Sequence, residues 1–264
     1  GPDTRRGLTQ TEVKMAELRN YQTQAGYGAR TAADIDEGLR SYMLRVYNYM
    51  AMGIALSAVI TLVLANTPGL LSVISSLSIV FFIGLLAMSW FGPRMVMNAR
   101  SETMAHVAYW GYAGLWGVAI APMVVAYLNF APELVVQAFA ITSALFGSMS
   151  LIGYTTKRNL TGIGQFAVMA MIGLIIAMLV TMVFGFFGGG GISPWVSFGF
   201  SAVYVLLISA ITAWETQEIK QMYVESDAQG VATRKAIFGA FLLYGSFISM
   251  FIHILNMLGI MNQE

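Results

Sequence analysis

Seven apolar runs succeed one another along this chain after a polar opening segment. Each approaches the roughly 20 residues that cross a bilayer at about 1.5 Å per residue. The pattern predicts spans near Val46–Ala65, Leu70–Phe91, Met104–Leu128, Glu133–Tyr154, Gly162–Phe187, Ser193–Trp214 and Lys235–Leu258. Turn-forming or charged clusters separate them: Asn66-Thr67-Pro68-Gly69, Gly92-Pro93-Arg94, Asn129 to Pro132, Lys157-Arg158-Asn159 and Gly188 to Pro194. Gly188 to Gly191 reads as a flexible turn and not a phosphate cradle, since no Lys-Ser/Thr follows it. Before the first span, residues 3 to about 34 predict a mobile or only locally helical tail. Asp34 is placed to cap a short interfacial helix, in which Leu39, Tyr42, Met43 and Val46 recur at helical spacing beside Arg40 and Arg45.

The last run differs from the others. Ser246, Ser249, His253 and Asn256 are spaced i, i+3, i+7 and i+10, so they share one narrow helical face while the remaining positions are apolar. A polar face toward hydrocarbon has no partner, so this stripe must turn toward other helices or toward internal water. Two readings stay open: side chains bonding neighbouring helices together, or the wall of an ion or substrate path.

Composition agrees with the spans. The chain is 57% hydrophobic and 10% charged, against about 25% charged in an ordinary soluble domain. It is therefore expected to be an all-α polytopic membrane protein, with a polar tail over residues 1–38 and a seven-helix transmembrane domain over residues 39–264. With no Cys, disulfides, thiolate metal sites and cysteine nucleophiles are excluded. The 18 Met residues read as adaptable packing. Gly1-Pro2 reads as the scar of a removed tag, and no apolar leader pattern marks a signal peptide.

Charge then orients the bundle. All 14 Lys and Arg fall in the N-terminal segment through Arg45, at Arg94 and Arg100, at Lys157 and Arg158, and at Lys220, Arg234 and Lys235. The alternate connections hold none, so the positive-inside rule puts the N-terminus in the cytoplasm and the C-terminus outside. That orientation is opposite to a G-protein-coupled receptor's. No Lys lies in the body of the last span to carry a retinal Schiff base.

Chemistry is sparse. Glu215, expected at the cytoplasmic end of the sixth span, is either a solvated helix-end charge or a bundle-facing carboxylate that binds a cation or titrates as a gate. Arg94, Ser246 and Ser249 are its candidate partners. His106 reads as interfacial, and His253 as a packing or path-lining residue beside Asn256. No HExxH, paired-carboxylate or nucleotide-binding motif is present. Gly199-Phe200-Ser201-Ala202 together with His253 offers a remote alternative, a rhomboid-like intramembrane serine protease in which the imidazole activates the hydroxyl. Small-residue/Ser patterns of this kind serve packing in any membrane helix, so the expectation is a protein that is not an enzyme.

Four stretches carry a resemblance to a known family. They are Phe146 to Leu160, containing Met149-Ser150-Leu151-Ile152-Gly153-Tyr154-Thr155-Thr156-Lys157-Arg158-Asn159-Leu160; Trp214-Glu215-Thr216-Gln217-Glu218-Ile219-Lys220; Leu243-Tyr244-Gly245-Ser246-Phe247-Ile248-Ser249-Met250-Phe251; and Leu39 to Met50. On these the chain resembles a bacterial member of the Bax inhibitor-1 family. The resemblance implies six helices surrounding a central seventh, in a bacterial inner membrane. It also implies a pH-sensitive calcium leak, held closed by two aspartates that share a proton on the last two spans. Glu215 stands at one aspartate position and Arg94 matches the family's cation near the end of the second span. Ser246 stands at the other aspartate position, and Ser249 where Asn is usual. A serine hydroxyl can hydrogen-bond to a carboxylate but cannot act as a second acid.

The expected function is a passive calcium or cation leak, with Glu215 as gate or calcium ligand, Ser246, Ser249 and Arg94 around it, and His253 and Asn256 lining the path. No cofactor is called for beyond a permeant or bound Ca2+. The partners are the lipid bilayer, calcium or other cations, and possible membrane proteins such as a protease, with no nucleic acid. The rival is a non-transporting membrane adaptor or regulator, which the serine at position 246 favours.

Overall fold

In the computed structural model, the backbone is described for residues 10–188 and 192–263, and side chains for 37–185 and 192–263. The tag scar expected at Gly1-Pro2, the first residues of the tail and most of the Gly188 to Gly191 turn lie outside them. Eight helices and no strand occur among the described residues: α1 (Gln10–Ala65), α2 (Pro68–Ser76), α3 (Ser78–Met97), α4 (Glu102–Phe130), α5 (Pro132–Thr155), α6 (Thr161–Gly188), α7 (Pro194–Gln221) and α8 (Gln229–Met261). Seven are long and apolar enough to cross a membrane, counting Glu37–Ala65 of α1, and α2 is the extra piece. The protein is a polytopic all-α membrane protein.

Helix starts follow local chemistry. Pro68, Pro132 and Pro194 stand in the first turns of α2, α5 and α7, where a missing N–H costs nothing. Ser101 caps α4 by accepting from the Met104 N–H at 3.3 Å.

Four boundaries differ from the sequence expectation. α1 runs unbroken from Gln10, so Asp34 is inside a helix and caps nothing, and the tail from Gln10 is helical rather than locally so. No proline interrupts the chain between Pro2 and Pro68. The second span is split at Leu77. There Ser75 and Ser76 turn their hydroxyls back onto the carbonyls of Leu71 and Ser72, at 2.8 and 2.9 Å, a habit that bends helices. Gly92-Pro93-Arg94 does not end α3, which continues to Met97 with Pro93 inside it, a tolerated feature in membrane helices. Finally, α7 extends to Gln221, which places Glu215 well within the helix instead of at its end.

α8 is the centre of the bundle. In its most apolar window 67% of residues are buried, against 11–33% in the other six spans. It packs against α1, α3, α4, α5 and α7, while α6 joins the bundle through α7. Small residues and hydroxyls bring helices close without a hydrophobic drive between them. Between α1 and α4, Ser57 Oγ donates to the Ala113 carbonyl at 2.8 Å and Thr61 Oγ1 to that of Gly117 at 3.1 Å. Tyr244 from α8 closes the same cluster through Ser57, at 2.6 Å.

The cation-bearing connections gather at one end of the bundle. Arg234 donates to the Ala99 carbonyl at 2.7 Å, Lys220 to that of Tyr154 at 2.8 Å, and Lys235 pairs with Asp227 at 2.6 Å. The links join the α3–α4, α5–α6 and α7–α8 connections.

Candidate functional site

Position 215 on α7 and position 246 on α8 face one another inside the bundle. Ser246 Oγ donates to Glu215 Oε2 at 2.7 Å. The serine is buried, and the glutamate keeps part of its surface accessible within the helix bundle. Tyr112 of α4 closes the wall beside Gly245, where an added Cβ would stand 2.9 Å from the phenol oxygen. Its ring stacks on Phe241 at 4.0 Å and its hydroxyl meets Ser89 at 3.2 Å. The alternative of a solvated helix-end charge therefore does not apply to Glu215.

Arg94 is elsewhere. It is exposed near the end of α3 and forms no ion pair with Glu215 among the described residues. Its pairing with the carboxylate is an expectation from its place near the end of the second span and from the family resemblance, and neither fixes helix rotation.

From Ser246 the polar stripe of α8 continues along α7 as a seam. Ser249 faces Tyr204. The His253 ring stacks on the Tyr204 ring at 3.8 Å, and its Nδ1 is 3.1 Å from Ser201 Oγ. Asn256 Oδ1 accepts from Ser197 and from Ser201, each at 3.2 Å. All four stripe residues thus turn toward α7, as lipid requires. Ser197, Ser201 and Tyr204 were missed as seam residues, although their i, i+4, i+7 spacing is the same signal that singled out α8.

The seam ends in apolar packing on the cation-bearing side of Glu215. Ile219, one turn on, is fully buried with Ile237 of α8 and Val46 of α1. Ile219 and Val46 both press on Gly239, where a Cβ would lie 2.8 and 3.2 Å from them. Polar groups therefore line one half of the α7–α8 interface and a closed apolar plug fills the other.

The Ser201–His253 pair has the separation of a nucleophile and its base. The one proton of the Ser201 hydroxyl has both Asn256 Oδ1 and His253 Nδ1 within reach, the imidazole tautomer sets which of them accepts it, and the ring face is covered by Tyr204. As for metal chemistry, no three His, Asp or Glu side chains cluster among the described residues. Glu215 and Ser246 supply carboxylate and hydroxyl oxygens, fewer than the about 6–8 oxygens that a resident Ca2+ takes. His106 sits edge-on to Tyr49 with ring centroids 5.4 Å apart, away from the seam.

The stretches that carry the sequence resemblance meet around this site. Gln217, two residues beyond Glu215, accepts from the Leu160 N–H at 2.8 Å and donates to the Arg158 carbonyl at 2.9 Å. Thr216 bonds Ser150 of α5 at 3.0 Å, and Ser150 bonds Tyr47 of α1 at 2.5 Å. The profile of the family described as Inhibitor of apoptosis-promoting Bax1 matches residues 39–263. The chain belongs to this family. Its relatives include uncharacterized protein RP147 of Rickettsia prowazekii, 35% identical over 228 residues that make up 85% of this chain and 91% of the relative. An uncharacterized protein of Deinococcus radiodurans is 33% identical over 83% of this chain and 90% of its own. Inner membrane protein YbhL of Escherichia coli is 28% identical over 84% and 92%. The Bax inhibitor family match begins two residues into the candidate first span at Glu37 and runs through the seventh.

Proposed function

We propose that this protein is a passive calcium or cation leak of a bacterial inner membrane, gated at Glu215 and sensitive to pH. The observation that carries the reading is the Glu215–Ser246 contact at the blind end of the polar seam. A carboxylate inside a bundle is costly unless it is hydrogen-bonded, paired or hydrated, and an acid within a membrane helix marks a functional site by default, ion and proton routes among them. The seam from Asn256 to Ser246 offers a cation hydroxyl, amide and imidazole groups in succession, and Glu215 is where its charge is met. Opening requires the plug of Ile219, Ile237 and Val46 to part. Protonation of Glu215 removes the cation's one charged partner among the described residues of this seam. Because position 246 is serine, pH sensing rests on one carboxylate and not on a shared proton.

The inner-membrane placement is drawn from the E. coli relative, inner membrane protein YbhL. Clustering of Lys and Arg at one end of the bundle supports a cytoplasmic placement of that end and of the N-terminus. The test is calcium entry into liposomes holding the purified protein, from about pH 6 to about pH 8, beside Glu215→Gln. Flux that depends on pH in the parent and loses that dependence in the variant is expected. Flux no greater than in empty liposomes at every pH overturns the leak.

A second reading has its own observation. α1 continues as helix from Gln10 well before the apolar window begins at Glu37, about 40 Å of helix at about 1.5 Å per residue. Such an arm suits an adaptor or regulator docking a membrane protein, a protease being one class. Deleting residues 10–34 is expected to abolish partner capture and spare flux if this reading holds.

A further inference from the structure

The α1–α5 face carries a groove of about 550 Å³ that opens sideways from the bundle. Its walls include Leu44 and Tyr47 of α1 and Phe146, Leu151 and Tyr154 of α5, with Arg40 at its rim. Leu44 and Leu151 are 51% and 62% exposed, so the groove faces where hydrocarbon must be. The Tyr47 hydroxyl is turned inward onto Ser150, which leaves the tyrosine ring as the groove lining. From Phe146 to Tyr154 the helix rises about 12 Å, most of one leaflet's share of a hydrocarbon core about 30 Å thick.

The charge sits at one end only. Arg40 lies on the first turn of the candidate span, at the end of the bundle where Lys157, Arg158 and Lys220 also stand. Tyr154 is the shared wall: it lines the groove on one side, and on the other Lys220 Nζ lies 5.0 Å over its ring. An apolar channel of one leaflet's depth below a cationic rim matches one molecule, with chains below and an anionic phosphate above. We propose that this groove is a binding site for a single anionic phospholipid of the cation-side leaflet, with its acyl chain along Leu44, Tyr47 and Phe146 and its headgroup at Arg40. The site is separate from Glu215 and does not depend on ion conduction.

Native mass spectrometry of the full chain tests it, with delipidated protein titrated against phosphatidylglycerol or phosphatidylcholine of matched chains. One phosphatidylglycerol is expected to bind about fivefold more tightly than phosphatidylcholine, since a basic side chain near an anionic headgroup contributes about 1 kcal/mol. Arg40→Gln should erase that preference and keep the fold, because the side chain is exposed. Gly147→Phe fills the groove from α5, where an added Cβ meets nothing within 4 Å, and should remove binding of both lipids. Equal affinity of the parent for the two lipids overturns the headgroup assignment. Unchanged lipid retention in monodisperse Gly147→Phe protein overturns the groove itself.

Discussion

Replacing Ser246 by Ala probes the contact on which the candidate site stands. The hydroxyl is buried, at 4% exposure, and donates to Glu215 Oε2 at 2.7 Å. A hydrogen bond to a charged group contributes about 1.5–3 kcal/mol, and the variant also leaves a carboxylate oxygen without a donor inside the bundle. Ser246→Ala should therefore cost about 1.5–3 kcal/mol. In a Glu215→Met background the serine has lost its acceptor and can return its proton to its own helix, so the same substitution should cost less than about 0.5 kcal/mol. The double-mutant cycle then gives a coupling of at least about 1 kcal/mol, beyond the additivity error of about 0.3–0.5 kcal/mol for independent sites. Reversible unfolding of the purified protein by SDS in mixed micelles, followed by circular dichroism, measures all four members. A coupling inside the additivity error would refute the reasoning, because Glu215 and Ser246 would then not be paired in the folded bundle.

Other consequences reach different parts of the molecule. Gly153→Val should destabilise by about 1–3 kcal/mol in the same unfolding assay, since a Cβ there stands 2.9 Å from the Ala213 carbonyl carbon and α5 and α7 must part; Gly173→Val, in open space, is the control. Gln217→Ala removes both bonds by which α7 holds the Arg158 and Leu160 backbone, so trypsin should cut after Lys157 or Arg158 several-fold faster in a time course read by mass spectrometry. Tyr244→Phe loses the hydroxyl bonded to Ser57 and should cost about 0.5–1.5 kcal/mol, with helix content unchanged by circular dichroism. Because the chain has no Cys, Asn159→Cys and Thr67→Cys provide single labelling sites. An impermeant maleimide added outside intact cells should label Thr67→Cys and not Asn159→Cys, and the reverse pattern would invert the topology.

What the sequence determined by itself is local or periodic. Seven apolar runs of bilayer length specify seven spans, because in hydrocarbon the backbone must satisfy itself within each segment. The alternation of Lys and Arg between connections anticipated their gathering at one end, which Arg234, Lys220 and Lys235 display. The stripe from Ser246 to Asn256 had to turn inward, and it does. Some local details were hidden even so: proline 93 reads as a stop yet lies within α3, and nothing in the apolar count marks the bend at Leu77, which comes from serine hydroxyls returning to their own helix. Only the tertiary structure decided which partners meet. Helix order and rotation set Ser246 against Glu215, left Arg94 exposed, brought Gln217 to the Arg158 and Leu160 backbone and opened a groove beside Tyr47. Those pairings join residues far apart in the chain, and hydropathy carries no information about the rotation of one helix against another.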